Sequence, residues 1–303
     1  MWRFLKNLWK QPPRKVGLAL SGGGARGLAH IGVLKVLEQE GILIDCLAGT
    51  SMGGLIAAAY AAGMSPDVME QEALRMTSLR HLLPLTDLSP LRRGLFEGQK
   101  VREYLAGHLD DRTFDDLRLP LALVAVDLNT GREVYLTQGR VVDGVRATVA
   151  LPGIFTPVER NGQLLVDGGL LDNLPADAAR HIGADVVIAV DVSSDDQVVS
   201  HLAQALHRHR YVPNGLVDTI EVLYRSLGVM MAEIGRRRLA EAHPEVIIRP
   251  AIPPDVTVLT GFPRAAEIIT AGEEAAAEKL PSIRALLASL HHTSHIDGAG
   301  QRR

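Results

Sequence analysis

Apolar residues in this chain fall into short unbroken runs, set between longer amphipathic stretches. "VGLAL", "DCLAG", "LPLALVAVD", "QLLVD", "ADVVIAVD" and "PEVIIRP" are such runs, and continuous runs of this length are the mark of strands buried on both faces. Two segments, "RKVGLALSGGGARGLAHIGVLKVLEQEG" and "DCLAGTSMGGLIAAAYAAG", each read strand, glycine turn, helix. "LPLALVAVDLNTGREVYLTQG" reads as a hairpin closed by an "NTG" turn. Strands that alternate with helices predict a three-layer α/β/α protein around a mainly parallel central sheet. One domain is expected over residues 14–290, with a polar, glycine-rich tail at 291–303 and a separate segment at 1–13. Residues 214–241 form a long helical stretch whose stripe of Leu216, Ile220, Leu223, Leu227, Met230, Met231 and Ile234 is expected to pack in the core.

The first ten residues, "MWRFLKNLWK", hold both tryptophans of the protein. On a helix, Met1, Trp2, Phe4, Leu5, Leu8 and Trp9 share one face, and Arg3, Lys6, Asn7 and Lys10 share the other. That division describes an interfacial helix, ended by Pro12 and Pro13. Residues 1–11 are therefore expected to reach a membrane surface. Lys6 and Lys10 interrupt any apolar core of a signal peptide, and no run approaches the length of a spanning helix.

The chain is 47% hydrophobic and 22% charged, and its net charge of −3 argues against a nucleic-acid binder. Its single cysteine, Cys46, excludes an internal disulfide and a cysteine-built metal site, and in its apolar run reads as a small buried hydrophobe. Low cysteine use fits a reducing, cytoplasmic setting, peripheral on the inner face of a membrane if the first segment docks there. No H-E-x-x-H pattern or calcium loop is present, so neither metal nor cofactor is expected.

Two glycine turns carry the candidate chemistry. "SGGGARG" contains G-x-G-x-x-G at Gly22, Gly24 and Gly27, the pattern of a dinucleotide-binding turn, with Asp45 as a possible ribose ligand. A nucleotide-binding oxidoreductase is therefore one reading, although Asp45 precedes the second strand instead of ending it. "GTSMGG" places Ser51 between Gly49 and Gly53 at the G-x-S-x-G spacing of a nucleophile elbow. There the helix opening at Met52 directs its N-terminal dipole at the serine. In that reading the first turn has a complementary role. Gly22, Gly23 and Gly24, with the N–H of Met52, would donate to the oxyanion of an acyl-transfer intermediate.

A serine nucleophile needs a base. The chain has 11 histidines, but the late ones (His243, His291, His292 and His295) lack a positioning context, and His30 and His181 fall in helical patterns. Asp127, Asp191 and Asp167 each follow an apolar run. Asp167 stands out because Gly168 and Gly169 permit a tight turn after it.

"GGGARG", "GTSMG" and "DGG", in this order, resemble the patatin-like phospholipase family. The resemblance runs from Val16 to about Leu290 and includes "ATVALPGIFTPVERNGQLLVDGGLLDNLPADAAR". It implies a Ser–Asp dyad without histidine: Ser51 as nucleophile, Asp167 as base, Gly22 to Gly24 as the oxyanion loop, and Arg26 as that loop's arginine beside Gly27. Arg26 would orient the loop or attract a phosphate headgroup. The expected activity is hydrolysis of a phospholipid or lysophospholipid acyl ester. A non-catalytic regulator that binds lipid or a protein partner on the same scaffold is a third reading. Residues 77–97 have loop-and-turn character and could form a lid or a substrate wall.

Overall fold

The computed structural model describes residues 14–77, 87, 94–193, 214–256 and 261–296. The amphipathic segment 1–13 lies outside them, as does most of the stretch expected as a lid. Strand β1 (Val16–Leu20) leads through the glycine turn into α1 (Ala29–Gln39). Strand β2 (Cys46–Thr50) leads through Ser51 into α2 (Met52–Ala61), and α3 (Pro66–Arg75) follows. Next come β3 (Gly94–Phe96), α4 (Gln99–Leu109), the hairpin of β4 (Leu121–Asp127) and β5 (Arg132–Leu136), and α5 (Val141–Thr148). Three short strands, β6 (Gly153–Phe155), β7 (Val158–Arg160) and β8 (Gln163–Asp167), precede α6 (Ala176–His181) and β9 (Val186–Val190). The long α7 (Asn214–Ala242), β10 (Val246–Ile248) and α8 (Ala265–Ile296) close the order. Helix α8 continues past the boundary expected at residue 290, so the first part of the expected tail is helical.

The main sheet runs β10-β9-β1-β2-β4-β8-β7, with β5 on β4. The first five strands are parallel, and β5, β7 and β8 supply the antiparallel end. Alternate side chains of the parallel strands go to opposite faces, as the pleat requires. Leu18, Leu47, Leu123 and Ile188 face a large core with α1, α2, α5 and α8. Ala19, Ala48, Ala122 and Ala189 face a thinner one with α6 and the end of α7. Cys46 belongs to the thin layer, where burial pushes its thiol up to about 11; it is the small buried hydrophobe expected.

The register at β4 sets the position of the site. Leu123 and Val124 pair with β2 and with β5, and Ala125 to Asp127 pair with β5 and with β8. Strands β2 and β8 must therefore share one edge of β4, one after the other and running in opposite directions. The parallel β2 ends at Thr50 opposite Val124, and the antiparallel β8 ends at Asp167 opposite Ala125. The two strands meet end to end, which delivers Ser51 and Asp167 to the same point.

Candidate active site

Ser51 has φ 52° and ψ −123°, a backbone conformation disfavoured for any residue with a Cβ. Close packing on both sides enforces it. A Cβ on Gly49 would lie 2.5 Å from the Cα of Gly54, and one on Gly53 would lie 2.4 Å from the Leu20 carbonyl oxygen. Both elbow glycines therefore let α2 start directly against β1 and β2. The Ser51 N–H donates to Thr148 Oγ1 at 2.9 Å, and that hydroxyl donates to the Val124 carbonyl at 2.5 Å. Thr148 thus ties the elbow to β4.

Asp167 is 4% exposed, and the Ser51 side chain is close enough to favour its charged form. Its Oδ1 accepts from the Gly169 N–H at 2.8 Å. Gly168 is needed because a Cβ there would sit 2.5 Å from the Val124 carbonyl oxygen. Burial pushes the Asp167 carboxyl up to about 6, against the opposing effects of the Ser51 side chain and the Gly169 N–H. A free aspartate is a weak base at neutral pH, and this shift moves it toward the range useful for proton transfer.

The glycine loop faces the same point with one change from expectation. The Gly22 N–H donates to the Asn173 carbonyl at 3.0 Å, so it is not available to an oxyanion. A Cβ on Gly22 would come 2.5 Å from Asn173 Oδ1 and 3.2 Å from the Ser51 Cβ, and close approach is what this glycine provides. The N–H groups of Gly23, Gly24 and Met52 have no acceptor among the described residues. Gly24 has φ 54°, which aims the loop back on itself, and a Cβ on Gly27 would strike Met52 Cγ at 2.4 Å.

Arg26 is buried and holds this loop in place. Its Nε donates to the Val192 carbonyl at 2.9 Å, and its Nη1 donates to the carbonyls of Val256 at 3.2 Å and Pro253 at 3.5 Å. Of the two roles expected for Arg26, the geometry favours orienting the loop. His30 acts from behind: its Nε2 donates to the Ser21 carbonyl at 2.8 Å, and burial lowers the ring to about 4, so it stays neutral. Among the described residues no histidine lines the cavity around Ser51.

The other strand-end aspartates have different work. Asp127 accepts from Asn129 N, Thr130 Oγ1 and Leu164 N, which fixes the β4–β5 turn. Asp191 pairs with Arg249 at 3.1 Å on the cavity rim. Asp45 accepts from the Val16 N–H at 2.7 Å, at the start of β1. The glycine turn lies at the other end of that strand, so the dinucleotide arrangement is not assembled. Sequence reasoning also missed Asp172. It is buried five residues beyond Asp167, and its carbonyl accepts from Thr50 Oγ1 at 2.9 Å. Burial pushes its carboxyl up to about 7, with Arg238 acting in the opposite sense.

Above these groups lies a cavity of about 480 Å³, within the range of small-molecule sites. Ser51, Asp167 and Gly22 to Gly24 form its floor, and Leu151 and Leu174 its sides. Helix α7 is its roof, through Tyr224, Leu227, Gly228, Met231, Gly235 and Leu239. For Leu223, Leu227, Met230 and Met231 this corrects the expectation of core packing; Leu216 and Ile220 lie outside the described side chains. Leu227 and Met231 face the cavity, while Leu223 and Met230 are 67% and 59% exposed. The Tyr224 hydroxyl donates to the Pro152 carbonyl, and Arg238 pairs with Glu133, so the roof is tied down at both ends.

A family model described as patatin-like phospholipase matches residues 18–180. Patatin-like phospholipase domain-containing protein 6 of Homo sapiens is 39% identical over 188 residues, covering 60% of this chain and 14% of its own length. An uncharacterized NTE family protein of Mycobacterium tuberculosis is 36% identical over 182 residues, covering 60% of this chain and 50% of its own length. The chain thus spans half or less of the length of these relatives. Among solved structures, VipD from Legionella pneumophila aligns over 90% of this chain and 68% of its own, at 16% identity and a TM-score of 0.46.

Proposed function

The chain belongs to the patatin-like phospholipase family, and from that premise we propose that it is a serine acyl-ester hydrolase working through Ser51 and Asp167. The observation that carries this reading is the meeting of β2 and β8 on one edge of β4, which sets a strained serine against a buried carboxylate. The Ser51 oxygen attacks the ester carbonyl carbon as Asp167 takes its proton. The carbonyl oxygen, now negative, accepts from the N–H groups of Gly23, Gly24 and Met52, all fixed before the substrate arrives. Collapse expels the alcohol, which recovers the proton from Asp167. Water then attacks the acyl-enzyme with Asp167 again as base, and a fatty acid leaves.

The roof fits the acyl chain of a phospholipid or lysophospholipid. A Cβ on Gly228 or Gly235 would meet no described atom within 4 Å, so these helix glycines leave space instead of allowing a close contact. Arg249 and Arg236 at the rim suit a phosphate headgroup at the other end. The amphipathic segment 1–11 would add a membrane anchor. Its deletion should weaken vesicle binding and spare hydrolysis of a water-dissolved ester.

The deciding measurement is fatty-acid release from mixed phospholipid vesicles by the wild-type protein and by Ser51→Ala. Release abolished in the variant supports the proposal. Equal release from both removes Ser51 as nucleophile, and release from neither sets aside the phospholipid substrate.

A further inference from the structure

Helix α7 is apolar on both of its sides over the stretch that roofs the cavity. Tyr224, Leu227, Gly228 and Met231 face inward. Val222, Leu223, Val229 and Met230 face outward and are 64%, 67%, 72% and 59% exposed. Their spacing of i, i+1, i+7 and i+8 puts them on one helical face, and Ser226, at i+4, lies exposed in the middle of it. Large side chains grouped this way on a surface mark a contact site, because isolated exposure would scatter them.

The charges around the patch select the occupant. Beyond the patch on the same helix, Arg236 and Arg237 share one acid, Glu233. These three side chains therefore carry a net positive charge next to the apolar face. A two-fold contact with a second copy would set these arginines against their own images. An anionic lipid surface instead gives the apolar side chains an acyl boundary and the arginines a counter-charge. Position favours the same occupant, since the front of this helix roofs the cavity of Ser51 and its back carries the patch. A lipid drawn from the docked surface would have only the thickness of the helix to pass.

We propose that the outer face of α7, through Val222, Leu223, Val229 and Met230, docks the protein on an anionic lipid surface. This surface is distinct from the segment 1–11, and its use for substrate entry rests on the acyl-ester reading above.

The test is co-sedimentation of the full chain with phosphatidylcholine vesicles, with and without phosphatidylglycerol, alongside turnover of a short water-dissolved ester. The double variant Leu223→Ser, Met230→Ser should bind phosphatidylglycerol-containing vesicles at least about tenfold more weakly, and should hydrolyse the dissolved ester at the wild-type rate. Ser226→Leu should bind more tightly, which keeps the proposal testable if the double variant folds poorly. Vesicle binding unchanged in all variants overturns the proposal. So does a wild-type dimer that the double variant dissociates while vesicle binding holds. If binding falls as expected but the wild-type protein leaves every ester intact, the docking surface stands and the hydrolase reading fails.

Discussion

At the strand ends, a Cβ on Gly53 would sit 2.4 Å from the Leu20 carbonyl oxygen, whereas on α7 a Cβ on Gly235 would meet no described atom within 4 Å. The floor and the roof of one cavity thus use the same residue for opposite purposes. On the floor, glycine lets backbones touch, and each group is fixed by hydrogen bonds. Ser51 N–H is held by Thr148, Asp167 by Gly169, and the loop by Arg26. On the roof, glycine keeps volume empty. A floor built this way accepts no added atom; a roof built this way can be remodelled.

The sharpest way to test that division is Asp167→Asn. If Asp167 is the general base proposed above, the change should lower kcat by about 10²–10⁴-fold. The same change should stabilise the fold at neutral and higher pH. The folded carboxyl titrates near 6 because of burial, and an unfolded one near 3.9. Between these values the folded state holds a proton that the unfolded chain has released, so stability falls as pH rises through the window. The asparagine variant should therefore be more stable well above pH 6, by on the order of 3 kcal/mol, and show no gain near the unfolded pKa. For the same reason wild-type kcat/KM should decline as pH falls through about 6. An asparagine variant that gained no stability would mean that Asp167 is not held at a cost for its function.

Gly53→Ala tests the rigidity of the floor directly. The new methyl would press on the carbonyls of Leu20 and Ser21, both backbone atoms that cannot rotate away. A loss of about 1–3 kcal/mol is expected, read from denaturant midpoints, together with a fall in turnover because Met52 and Ser51 move with α2. Wild-type stability in this variant would show that the helix start can yield.

These contrasts also explain what the sequence made legible. The floor was readable because its signals are local: an apolar run, a glycine pair and a serine or an aspartate at fixed spacing, all within a few residues. The partners that complete it were not. Thr148 lies 97 residues from Ser51 in the chain, inside an ordinary helix. Gly22 was read as an oxyanion donor because nothing near it in sequence reveals that the Asn173 carbonyl takes its N–H. The roof was misread for another reason. A stripe at helical spacing shows that one face is apolar, but not whether that face meets side chains, a cavity or solvent, and α7 meets a cavity on one side and solvent on the other.

Gly235→Leu applies the comparison to selectivity. The isobutyl group would enter the space assigned to the acyl chain, so the ratio of kcat/KM for long over short esters should fall about tenfold or more. An unchanged ratio would place the acyl chain elsewhere in the cavity.

The smallest effect is also the most diagnostic, because it reverses sign between the two regions. A helix interior favours alanine over glycine by up to about 1 kcal/mol. At Gly53 that preference is overwhelmed by contact with the backbone of β1. At Gly235 nothing described opposes it, so Gly235→Ala should raise the unfolding free energy by that amount, read as a higher denaturant midpoint at unchanged slope. Its partner, Gly228→Ala, should behave alike, since it faces the same cavity and is equally free of neighbours. Two stabilising alanines on the roof and one destabilising alanine on the floor would establish that the roof glycines are kept at the expense of stability, for the room they leave. Destabilisation at Gly228 or Gly235 would instead mean that another part of the chain packs there, and the space would not be open to substrate.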